Sequence, residues 1–75
     1  MPNGSPGSSP SSASASAELH VIADTVERQR ERVAAVAEPF RGTEREDVVA
    51  LVLEAERQLL IANRALRRAI KTLDR

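Results

Sequence analysis

Val52, Leu59, Leu66 and Leu73 recur every seven residues in the C-terminal half of the chain, and Ala55, Ala62 and Ala69 recur at the same interval on the adjoining line. A seven-residue apolar repeat lines up along one stripe of an α-helix, whereas side chains of a half-buried strand alternate. Small residues along one line let two helix backbones approach toward the low end of the usual ~8–10 Å spacing. A second apolar line holds Val49, Leu53 and Leu60, and Glu56 and Asn63 fall between the two. The stretch "LVLEAERQLLIANRALRRAIKTL", residues 51–73, is therefore apolar around more of its circumference than a helix lying on a single neighbour requires.

A second helix precedes it. Leu19, Ile22, Val26, Val33, Val36 and Phe40 keep a/d heptad spacing, with Gln29 in the one polar position. Ser16 is the expected cap and Glu18 suits the first turn of the helix dipole. The segment "EPFRGT" breaks the pattern. Pro39 disfavours helical geometry at Glu38, Phe40 closes the hairpin end, Gly42 supplies a flexible turn position, and Thr43 with Glu46 reads as a capping box. A turn this short makes the helices antiparallel neighbours. The expected fold is all-α, an antiparallel two-helix hairpin with helix 1 over about 17–38, a turn at 39–43 and helix 2 over about 44–74.

Residues 1–16 hold two of the three glycines and three of the four prolines, with serine and alanine, no charge and no large apolar residue beyond Met1. Such a segment cannot bury enough to offset its ordering entropy and is expected to be a disordered tail. It lacks the basic start and apolar run of a secretory signal. The longest apolar run, "VVALVL" at 48–53, is far short of the ~20 residues of a membrane span. Cysteine is absent, which excludes disulfides and thiolate zinc sites. Eleven basic residues balance eleven acidic ones, so the chain has no overall pull toward nucleic acid or anionic lipid. The expected location is cytoplasmic.

Folding about residue 41 sets the acidic section of each helix beside the basic section of the other, and places Ile22 near Leu60 and Leu19 near Asn63. Helix 1 then ends opposite Leu66, leaving Ile70 and Leu73 uncovered and the Val49, Leu53, Leu60 line unused. Two helices make one seam rather than a core, and association is the usual remedy for so small a domain. A homodimer closing into a four-helix bundle is the simplest arrangement, and a hairpin completing another helical protein's bundle is the alternative. The expected interface residues are Val49, Val52, Leu53, Leu59, Leu60, Leu66, Ile70 and Leu73, with Glu56 and Asn63 setting register.

Nothing in the sequence points to catalysis. No Walker, H-E-x-x-H or G-x-S-x-G motif is present. His20 and Asp24 form a lone i, i+4 pair, short of the three or four ligands a metal needs. Carboxylates alternate with arginines as on a solvated face, so no catalytic, cofactor or metal residue is expected. Glu56 with neighbouring arginines in a bundle core would be the only basis for an enzyme. Arg57, Arg64, Arg67, Arg68 and Lys71 form a basic stripe that supports a nucleic-acid-associated regulator as the alternative function. The absence of Trp and Tyr removes base stacking and leaves only salt-sensitive phosphate contact. "PFRG" in a hairpin turn resembles the small secreted helical hairpins built around a tryptophan-x-glycine turn. Phe40 stands in place of tryptophan, however, and no tyrosine is available for the secretion signal of that family. The function expected from the sequence is a small, non-catalytic helical interaction and oligomerisation module.

Overall fold

A computed structural model of the protein describes residues 10–75, which form two antiparallel helices. Helix α1 spans Ser12–Ala37, a single 3-10 turn spans Glu38–Phe40, and helix α2 spans Glu46–Leu73. The expected all-α hairpin is present. No helix among the described residues is long and apolar enough to cross a membrane.

Helix α1 begins earlier than the composition suggests. Residues 1–9 of the expected tail lie outside the described residues, but Ser12 to Ser16 belong to α1. The cap is Ser11, whose Oγ accepts from the Ser14 N–H at 3.1 Å. Alternating Ser and Ala looks like low-complexity linker, yet Ala is the best helix former and each Ser costs only a few tenths of a kcal/mol. Ser16, expected as the cap, is instead buried within the helix pair. The longer α1 also covers the far end of α2. Ile70, expected to lack cover, is only 5% exposed, and Leu73 is half-buried.

The turn follows from three residues. Pro39 ends α1 in the 3-10 turn, where its missing N–H costs nothing. Gly42 has φ of +73°, in the left-handed region. Beyond it, the Thr43 hydroxyl donates to the Phe40 carbonyl at 2.6 Å and accepts from the Arg45 N–H at 3.1 Å. The Gly42 N–H donates to the Glu46 carboxylate. Thr43 and Glu46 thus both bond to turn backbone, but not as a capping box. The left-handed Gly42 adds a tight turn before the helix, so α2 starts two residues later than a Thr43 cap implies, with Arg45 at the cap position and no side-chain cap bond.

Space around Gly42 is open, with nothing within 4 Å of an added Cβ, so conformation alone decides substitutions there. Gly42→Val is expected to lower stability by about 1–2 kcal/mol, and Gly42→Asn by less, because asparagine tolerates a positive φ and a β-branched residue does not. Thermal melts of the two variants test this. Equal losses would show that strain at φ is not the determinant.

Candidate functional site

The helices meet along a line of small residues. On α1 the deepest positions are Ser16, Ala23 and Ala37, with Ala23 and Ala37 fully buried; on α2 they are Val49, Asn63 and Ile70. Each set has seven-residue spacing, and each lacks one member: Arg30 on α1 and Glu56 on α2. These two supply the missing positions and meet, Arg30 Nη1 lying 3.0 Å from Glu56 Oε2. The register therefore pairs 30 with 56, 23 with 63, 16 with 70 and 37 with 49. The chain folds about residue 43 rather than 41.

A polar cluster sits at the middle of this seam. Arg30 donates to both carboxylate oxygens of Glu27, at 3.2 and 2.6 Å, and to Glu56. Asn63 Nδ2 donates to Glu27 Oε1 at 3.3 Å. Asn63 Oδ1 is buried and has no hydrogen-bond partner among the described residues. Hydrogen bonding from Arg30, above all, holds the Glu27 carboxyl below its ordinary value of 4.5, and the same bond keeps the Arg30 guanidinium more firmly protonated. Because the folded-state value of Glu27 is depressed, its contribution to stability is present above the unfolded value and disappears as pH falls through the folded one. Thermal stability is expected to drop below about pH 4.5 in the wild type, and Glu27→Gln should flatten that limb of the profile. Parallel acid limbs in the two proteins would assign the loss to other carboxylates.

Removing Arg30 alone strands Glu27 and Glu56 beside Asn63. Arg30→Leu is expected to destabilise clearly, whereas Arg30→Leu with Glu27→Leu and Glu56→Leu should recover most of the loss, since replacing the whole half-buried group by apolar side chains leaves no charge without its partner. Additive losses in the triple variant would show that the three do not act as a unit.

The polar cluster also determines which residues flank the seam. Asp24 and Arg67 form an ion pair across the helices, with Oδ1 and Nη2 3.1 Å apart, on the same side as the contact between Glu27 and Asn63. That side carries Glu31 and Glu38 on α1 and Arg57, Arg64 and Lys71 on α2. Helical geometry assigns the other side. Next to the seam lie Leu19, Val26 and Val33 of α1 and Val52, Leu59, Leu66 and Leu73 of α2, all half-buried. Beyond them lie Ala15, Ile22, Gln29 and Val36 on α1 and Val48, Ala55, Ala62 and Ala69 on α2. None of these residues is charged. Ile22 is 39% exposed and Val36 54%.

This arrangement relocates several expected contacts. The heptad stripe of α1 does not point squarely at α2. It is turned so that Leu19, Val26 and Val33 flank the seam while Ile22 and Val36 face outward. The two apolar lines of α2 do not divide between two neighbours either, because Glu56 and Asn63, between them, face α1, and both lines flank it. Leu53 and Leu60 are half-buried on the charged side; Val49 and Ile70 are buried within the seam. Val52, Leu59, Leu66 and Leu73 remain at the edge of the uncharged side. Pro39, Gly42 and Thr43 are exposed in the turn, with Phe40 half-buried. The signal that would have found the seam was Arg30, seven residues from both Ala23 and Ala37 and opposite in charge to Glu56.

His20 and Asp24 do not converge on further ligands, and Asp24 is engaged by Arg67. Among the described residues no group of three or more His, Cys, Asp or Glu could hold a metal, and no pocket is present. Compared with family models, curated proteins and solved structures, the chain matches none.

Proposed function

We propose that the chain is a small, non-catalytic helical module that works by association, pairing with a second copy of itself to close a four-helix bundle. One observation carries this: among the described residues no large side chain is fully buried, and the buried apolar residues are only Ala23, Ala37, Val49 and Ile70. Fully burying one large apolar side chain contributes ~1.5–3 kcal/mol, while ordering each residue costs ~1.5 kcal/mol. A hairpin in which Leu19, Leu59, Leu66 and Leu73 stay half-exposed has most of its apolar contribution still to gain. The uncharged side is where that gain lies, and a second layer of helices is what covers it.

The nucleic-acid reading draws less support. Arg57, Arg64 and Lys71 share their side of the hairpin with Asp24, Glu27, Glu31 and Glu38, and Arg67 is paired with Asp24. Cations interleaved with carboxylates on one surface give phosphates little net attraction. Sedimentation equilibrium over a range of micromolar concentrations tests the proposal. A dimer mass supports it. A monomer that keeps its helicity withdraws self-association and leaves a hairpin that completes a different protein's bundle.

A further inference from the structure

We infer that two copies pack through their uncharged sides with turns at opposite ends, α1 against α1 and α2 against α2, about a twofold axis crossing near Thr25 and Ala62. This presupposes the self-association proposed above and adds its surface, symmetry and orientation.

The surface is large enough. Helix α1 has 26 residues; at 1.5 Å per residue and with two helices of ~10 Å diameter side by side, the side measures roughly 40 by 20 Å, about 800 Å² per chain. Stable complexes bury about that much per partner.

Three independent features place the axis. The first is charge. Glu18 and Arg32 stand at the outer rim of this side, seven residues either way from Thr25, and neither makes an ion pair within the described residues. Antiparallel pairing of α1 with its copy about Thr25 sets each Glu18 beside the other chain's Arg32. With turns at the same end, α1 would instead lie over α2, whose corresponding rim is Leu51, Gln58, Ala65 and Thr72, and both charges would face uncharged residues. The second feature is size. Ala55, Ala62 and Ala69 are symmetric about Ala62, and their small side chains permit close antiparallel approach of two α2 helices. The third is length. The midpoints of Ser12–Ala37 and Glu46–Leu73 fall at residues 24–25 and 59–60, so an axis there overlaps the whole of both chains. The intramolecular register, which pairs 30 with 56, places Thr25 level with Ile61. The rim charges on α1 and the alanines on α2 thus select the same level of the hairpin.

Because the chain has no cysteine, single cysteines report the geometry directly. Ala62→Cys should give a disulfide-linked dimer under mild oxidation. Ala55→Cys alone should not, because its two copies would sit well over 10 Å apart, but a mixture of Ala55→Cys and Ala69→Cys chains should cross-link to each other. Glu18→Arg should weaken dimerisation about three- to tenfold, and Glu18→Arg with Arg32→Glu should restore it to within about twofold. Wild-type dimer mass with an uncross-linked Ala62→Cys overturns this orientation while leaving self-association intact. So does cross-linking between Ile22→Cys and Ala62→Cys chains, the signature of turns at the same end. A wild-type monomer overturns both.

Discussion

Leu59→Glu with Leu66→Glu is expected to yield a monomer that has lost most of its helix. Both leucines flank the seam on the side without charge, so a carboxylate there finds no cation within its own chain. Each leucine contributes about 2 kcal/mol when fully buried, and an unpaired buried carboxylate costs several more. A domain of this size holds about 5 kcal/mol or less in reserve. Mass and far-ultraviolet circular dichroism should fall together. The control is Leu53→Glu with Leu60→Glu, which places the new carboxylates on the charged side near Arg57 and Arg64. It should lower melting temperature yet leave the mass unchanged. If the control dissociates and the first variant does not, association uses the charged side, and the uncharged side faces water.

Ala23→Leu with Ala37→Leu should have the next largest effect. Both alanines are fully buried between the helices. Added branched carbons there have no space, so the helices must separate and the contact between Arg30 and Glu56 must lengthen. Overpacking costs about 1–3 kcal/mol per site, which in a chain of this length is a fall of about 10 °C or more in melting temperature. An unchanged or raised melting temperature would mean that the helices are not held together along this line.

Much of the architecture was legible in the residues. Pro39, Gly42 and the two seven-residue patterns are local signals, and they located both helices and the turn to within a few positions. The seam was not legible, because hydropathy ranks a line by its apolar content and the seam lines of both helices are less apolar than the heptad stripes beside them. On α1 it is Ser16, Ala23, Arg30 and Ala37; on α2, Glu56 and Asn63 occupy two of its four places. Burial of Ala23 and Ala37 and the ion pair between Arg30 and Glu56 outweighed that ranking, and neither has a signature in one helix taken alone. The start of α1 was missed for a related reason. The composition of Ser12 to Ser16 is that of a linker, and what gives it a place is the burial of Ser16 against the far end of α2, a tertiary effect.

Segregating charge to one side of the hairpin makes its two sides respond to different solvent variables. Ion pairs such as Asp24 with Arg67 are screened, so added salt loosens the side that carries them and reaches the apolar side only at its rim charges, Glu18 and Arg32. Apolar burial weakens on cooling and strengthens in excluded salts such as sulfate. Chilling therefore acts first on whatever the uncharged side holds, and ionic strength first on the helix–helix seam. Temperature and salt become separate handles on two levels of organisation within one short chain.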